Sequence, residues 1–252
     1  MGKHLKLFNL NNEYTSFLEG DEFITPNVSY VVENDIVYYN PYVESDSSYK
    51  MVSLGLPSGL KWADRNIGAD SPEDSGLIFQ WGDTVGYAVE QVGVDKIFTM
   101  ENYKYYDINT GKITKYNKYN SVLEPSDDAA TVNMGSNWRM PTNAEFEELI
   151  NNTTATLIDI NGNEVDSTTY ENLKGVKFTG SNGNSIFIPA QGAALKDKHN
   201  SVYTACYLWS SELYTSDSNN ETSNVFKALY NKNISLSYFN RHLGISVRGV
   251  CN

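Results

Sequence analysis

Apolar residues along most of the chain come in short runs or alternate with polar ones. They fall at helical spacing over a full ten residues in one place only, Pro141–Ile150. There Thr142 stands as N-cap with Glu145 three positions on, the pattern of a capping box, and Phe146, Leu149 and Ile150 share one face. The β-branched and aromatic runs Val176–Thr179, Ser185–Pro189, Tyr207–Ser210, Val225–Leu229 and Ile245–Val250 predict strands, and Asn182-Gly183 is the strongest hairpin turn. One clear helix among many short strands and long loops is an α+β pattern.

Residues 1–40 read as a separate unit. Leu5, Leu7 and Phe8 open a short strand. Tyr14, Phe17 and Leu18 lie on one side at helical spacing and predict a helical turn. After a turn at Pro26-Asn27, the stretches Val28–Val32 and Ile36–Tyr39 predict a hairpin across Glu33-Asn34-Asp35. Forty residues bury too little apolar surface to stand alone, so this strand, helix and hairpin must pack on the rest of the chain or on a partner. Residues 40–50 are polar and serine-rich, as in a linker. The expected division is therefore a segment and linker at 1–45 and a domain at 46–252.

Composition narrows the function. The chain has 252 residues and a net charge of −12, which opposes binding to a phosphate backbone. Its modest basic cluster, Lys112, Lys115 and Lys118, reads as a solvated loop. No run approaches ~18 apolar residues, so no membrane span is expected. The first residues lack the apolar stretch of a signal peptide, which points to synthesis in a cytoplasm. Cys206 and Cys251 lie far apart and form no Cys-x-x-Cys, so no metal and no cofactor are expected. Whether these two cysteines pair stays open, with buried free thiols the simpler reading. The excess of Asn (29) and Tyr (18) fits a protein rich in turns and half-buried strands.

From Met51 onward a series of motifs occurs in order. They are Val52–Ala63 (VSLGLPSGLKWA), Asn66–Ala69, Ser71–Gly76, Phe79–Asp83 (FQWGD), Asp128–Ala130, Trp138–Thr142 (WRMPT), Gly183–Ala190, Leu208–Ser211 (LWSS) and Gly244–Val250. Together they resemble the Fibrobacter/Bacteroidetes paralogous domain, related to C-type-lectin-like domains and to formylglycine-generating enzymes. The resemblance implies a C-type-lectin-like fold in which the first and last strands, Met51–Leu56 and Ile245–Val250, pair. Trp62, Trp81, Trp138 and Trp209 are expected as core anchors. Arg139 and Arg248 are expected to make buried hydrogen bonds to carbonyls and carboxylates such as Asp128.

Three function classes follow. Formylglycine-generating chemistry needs a close pair of cysteines, which this chain lacks, and no Ser-His-Asp pattern or phosphate loop replaces it. Asp127-Asp128 and Glu147-Glu148 read as ordinary solvated faces, so no catalytic residue is expected. Calcium-dependent sugar binding is not supported either, because Glu124-Pro125-Ser126-Asp127 lacks the Asn of the lectin loop. Metal-free ligand binding would fall to an aromatic loop, Tyr103, Tyr105 and Tyr106, and a polar one carrying Tyr214 and Asp217.

The N-terminal residues Leu5, Leu7, Phe8, Tyr14, Phe17, Tyr30, Tyr38 and Tyr39 resemble a recurrent segment of virion proteins in crAss-like phages of gut Bacteroidales. That resemblance implies an anchor on the major capsid protein or another virion protein, and a location on the virion surface. The expected role is capsid decoration, as an auxiliary capsid or head-fibre protein. The alternative is a tail-fibre or adhesin-type protein that recognises host-surface glycans. Homo-oligomers are compatible with both.

Overall fold

The computed structural model describes residues 49–89 and 97–252, together with the backbone of four strands within residues 4–40. The chain divides into two compact units, Met1–Ser47 and Ser48–Asn252.

In the first unit β1 (His4–Phe8) pairs antiparallel with β2 (Tyr14–Leu18), Leu5 facing Phe17. A second hairpin joins β3 (Ser29–Glu33) to β4 (Ile36–Asn40), Tyr30 facing Tyr39. Tyr14–Leu18 is thus a strand and not the expected helical turn. An isolated turn of helix leaves nearly all its backbone groups unpaired, whereas β1 supplies partners to a segment rich in Tyr, Thr and Phe. The side chains of Leu5, Leu7, Phe8, Tyr14, Phe17, Tyr30, Tyr38 and Tyr39 lie outside the described residues, as do Pro26-Asn27, Asn34-Asp35 and the linker residues 41–48.

The second unit opens with β5 (Met51–Ser53), β6 (Lys61–Ala63) and β7 (Ile78–Phe79). A long excursion follows whose described residues carry the ribbon β8 (Tyr106–Asp107) and β9 (Lys112–Ile113) and a single 3-10 turn. Then come α1 (Ala129–Met134), α2 (Asn143–Asn152), β10 (Thr153–Asp159), β11 (Glu164–Val165), β12 (Leu173–Gly180) and β13 (Ser185–Pro189). The chain continues through β14 (Ala193–Leu195), β15 (Lys198–Asn200), β16 (Ala205–Leu213), β17 (Thr222–Leu229) and β18 (Ile234–Asn240), and closes with β19 (Ile245–Ser246) and β20 (Val250–Cys251).

These strands form a five-stranded sheet β18-β17-β16-β19-β7, a four-stranded sheet β11-β10-β12-β13 and a three-stranded sheet β20-β6-β5, with small ribbons β8-β9 and β14-β15. The architecture is α+β, with many short strands in several sheets and two helices among the described residues. The second helix, α1, is one that spacing did not reveal. Six residues give no periodicity to read, and its start is marked only by Asp128, whose carboxylate accepts the Thr131 N–H at 2.9 Å. The longer helix α2 has the expected capping box, with Glu145 N–H to Thr142 Oγ1 at 3.3 Å and Thr142 N–H to Glu145 Oε2 at 2.8 Å.

Strand β16 is the wall between two cores. Alternation along it sends Ala205, Tyr207 and Trp209 to a cluster with Trp81, Trp138 and Tyr116, and Cys206 and Leu208 to one with Trp62, Phe146 and Phe226. Helix α2 plugs the second cluster: Phe146 stacks on Phe226 with ring centroids 5.3 Å apart and meets Trp62 at 5.4 Å.

The closing strands depart from expectation in two ways. Ile245–Val250 is not continuous, because Arg248 turns fully inward and Gly249 lies where a Cβ would stand 2.7 Å from the Met134 sulfur. The first and last strands also share a sheet without touching, since both β5 and β20 pair with β6, where Trp62 faces Val52 on one side and Val250 on the other.

Candidate functional site

The expected aromatic ligand loop is core. Tyr103 is 2 % exposed and Tyr105 7 %, and Tyr106 is half-buried against the same cluster. The excursion between β7 and α1 has too little secondary structure to hold itself, so its tyrosines hold it. Their rings insert and their hydroxyls find carbonyls in the turn after β7. Tyr103 OH donates to Trp81 O at 2.8 Å and Tyr105 OH to Gly82 O at 3.5 Å. Tyr105 meets Tyr103 and Tyr116 edge to face, and Tyr116 in turn meets Trp81 at 5.2 Å.

Beneath these rings is a polar centre built on Asp127, the last residue of a single 3-10 turn at Pro125–Asp127. Asp127 is 5 % exposed. It accepts from Lys115 at 2.6 Å, Lys104 at 3.0 Å and the Tyr116 hydroxyl at 2.6 Å, and Lys115 also reaches Glu124 at 2.7 Å. Burial acts to raise the Asp127 carboxyl, but hydrogen bonds from Lys115, the tyrosines and Lys104 outweigh it and hold it well below the usual carboxylate range. Burial and the bond to Asp127 push Tyr116 up to about 12. Burial likewise raises neighbouring Asp83.

Arg241, fully buried, lies over Trp81 at 4.6 Å and Tyr103 at 5.2 Å, and donates to Asn220 O and Lys115 O, both at 2.9 Å. Asp127 and Asp128 are therefore buried and not a solvated face, and Lys115 is an ion-pair partner and not a free loop cation. The Lys115 contacts cross from the excursion to the turn before α1, which local sequence does not encode. Arg241 follows a strand as any surface arginine might, and nothing near it marks it as buried.

Chemically this centre is a clasp. A carboxylate held by two ammoniums and a phenol, and ionised far below neutral pH, offers neither a poised base nor an open position for an ion. Cys206 and Cys251 are free and buried, and burial pushes both thiols up, away from thiolate chemistry. Among the described residues no three His, Cys, Asp or Glu side chains are grouped to hold a metal.

The expected anchors are buried: Trp62, Trp81 and Trp209 are fully covered and Trp138 is 6 % exposed. Trp81 donates to Ser210 O at 2.8 Å and Trp209 to Phe79 O at 2.9 Å, stitching the β7 region to β16 from both sides. Arg139 binds Glu145 through both terminal nitrogens, not Asp128. Asp128 instead accepts two backbone N–H groups, of Thr131 and of Met140, the latter at 2.8 Å. Arg248 donates to Asn66 Oδ1 at 2.9 Å and Phe187 O at 2.7 Å, and burial depresses its pKa.

The second expected loop does reach the surface. Asp217 is its organiser and not a free ligand: it accepts the N–H groups of Asn219, Glu221 and Thr222 and the Thr222 hydroxyl, all at 2.8–3.0 Å. Burial alone would raise its carboxyl, and these bonds bring it below the ordinary value. Tyr214 stacks on Tyr238 of β18 with centroids 4.1 Å apart and planes within 10°, and Tyr238 is 51 % exposed. A shallow polar depression of about 330 Å³ opens elsewhere, lined by Asn151, Asn152, Thr153, Thr154, Thr179 and Ser181. No family model, curated protein or solved structure matches the chain. The stacked pair is a partly exposed aromatic surface formed by the second expected loop and β18. Two parallel phenols offer a flat apolar plate.

Proposed function

We propose that the chain is a structural protein of a bacteriophage virion, decorating the capsid as an auxiliary or head-fibre protein. In this reading residues 1–45 anchor it to the major capsid protein or another virion protein, and a C-type-lectin-like domain faces outward. The chain is then not an enzyme. The observation that carries the reading is the partition into Met1–Ser47 and Ser48–Asn252. A unit of 47 residues made of two hairpins falls below the size at which apolar burial alone sustains a fold, so its stability must come from a larger body. The motif resemblance names a capsid as that body. The lectin-like reading draws support from the sheet that gathers β5, β6 and β20, and from four buried tryptophans in the order the motifs require. Deleting residues 1–45 tests the proposal: particles assembled with the truncated chain should lack it, and normal incorporation would sink the anchor.

One observation favours the second reading, host recognition without metal: the half-exposed Tyr214–Tyr238 stack. A glycan array should show binding that Tyr238→Ala abolishes; a flat array leaves decoration alone.

A further inference from the structure

Most sheet edges in the second unit are blunt. β7, β11 and β20 have two residues, β5 has three, and β13 ends on Pro189. β18 differs. Its seven residues, Ile-Ser-Leu-Ser-Tyr-Phe-Asn, carry no charge and no proline, and they pair with β17 without a bulge.

Bonds at the two ends of that ladder set its phase. Arg241 N–H donates to Glu221 O at 2.8 Å and Leu229 N–H to Asn233 O at 3.0 Å, so the odd-numbered residues of β18 turn toward β17. The backbone N–H and C=O of Ile234, Leu236 and Tyr238 therefore turn outward, and among the described residues no backbone group meets them. Helix α2 lies over one face, where Ile150, Ile234 and Leu236 join the core.

Two observations name the occupant. The stretch Ile234-Ser235-Leu236-Ser237-Tyr238 is symmetric about Leu236 in its apolar and serine positions, so it complements itself when reversed. All 31 Asp and Glu residues precede Thr222, and residues 222–252 carry Lys227, Lys232, Arg241 and Arg248 alone among ionised side chains. On a chain of net charge −12 this is the region where two copies meet with least repulsion. We propose that the chain forms a symmetric dimer through β18, antiparallel and centred on Leu236.

Leu236 then faces Leu236 of the second copy and Ile234 faces its Tyr238, and each facing pair exchanges both N–H···O bonds. The same register brings Lys232, which pairs with Asp166 of its own chain at 3.2 Å, near Asn240 of the second copy. The two five-stranded sheets become one continuous sheet, and the edge is abolished in both copies.

Sedimentation equilibrium and register-specific cross-linking of the full chain test this. The expected mass is twice 28.3 kDa at micromolar concentration. Leu236→Cys should form an interchain disulfide under mild oxidation, because facing Cα atoms of a hydrogen-bonded pair lie about 5.5 Å apart. Ser235→Cys should not, since it faces Ser237, and buried Cys206 and Cys251 stay silent. Leu236→Pro leaves the ladder to β17 intact while removing an outward donor, and should weaken association at least about tenfold. If that variant fails to fold, the two cysteine variants decide the matter. A chain that stays at 28.3 kDa at high micromolar concentration, or equal cross-linking at positions 235 and 236, overturns the proposal.

Discussion

Replacing Asp127 with alanine takes one carboxylate away from the three donors that lie within 3.0 Å of it, Lys115, Lys104 and Tyr116. Lys115 and Lys104 have side chains 32 % and 38 % exposed, so both ammoniums can turn to water and their loss is small. Tyr116 is 3 % exposed and has no such escape. Its hydroxyl loses a charge-assisted bond of 2.6 Å, a loss of about 2 kcal/mol. The phenol therefore dominates, and Asp127→Ala should lose about 2 kcal/mol of stability. Asp127→Asn keeps an acceptor for the phenol and should lose about half as much.

Urea unfolding followed by tryptophan fluorescence reads both variants, since Trp81 meets the Tyr116 ring at 5.2 Å. The pH dependence has a definite sign. The folded carboxyl lies below its unfolded value near 3.9, so its contribution is complete above about pH 4 and is lost as pH falls through the folded value. Asp127→Asn should lack that acid limb. Equal losses for Ala and Asn, or a loss under about 0.5 kcal/mol for Ala, would refute the clasp. So would simple additivity of Asp127→Ala with Tyr116→Phe in a double-mutant cycle.

Gly180→Ala should be severe, because its Cβ would stand 1.9 Å from the Leu54 carbonyl oxygen and backbone must move. Gly183→Ala, at φ +85° in open space, should lose about 1 kcal/mol from backbone strain alone; thermal melts of the pair separate steric clash from strain. Thr142→Ala removes the N-cap of α2 and should cost about 1 kcal/mol, or roughly 2–4 °C in Tm, by calorimetry.

What was legible in the chain was what local chemistry dictates. Asn182-Gly183 predicts the β12–β13 turn because the glycine must take positive φ, and Thr142 with Glu145 announces α2 because both satisfy backbone N–H groups within one turn. What was illegible depends on distant partners. Tyr103 and Tyr105 look like a binding loop until Trp81, Gly82 and Tyr116 close over them. Arg139 pairs with Glu145 three positions past the capping threshold, while Asp128, its expected partner, serves backbone N–H groups instead. Tyr14, Phe17 and Leu18 satisfy helical spacing in sequence, and only pairing with β1 reveals the strand. The partly exposed surface is half legible: Tyr214 stands in a polar loop that local sequence marks, but Tyr238, the ring it lies on, comes from β18, a strand that the sequence pattern does not predict.

The sheet β5-β6-β20 has a consequence for biosynthesis. β6 is held on one flank by a strand made just before it and on the other by Val250–Cys251, while Arg139 bridges to Val250 through bonds in both directions, 3.1 and 2.9 Å. A ribosome-bound chain that has reached β18 therefore holds an open seam, with Trp62 lacking its Val250 neighbour. The domain cannot close until Val250–Cys251 have been made and reach β6, so the chain synthesised before them stays open to proteases and aggregation until that point.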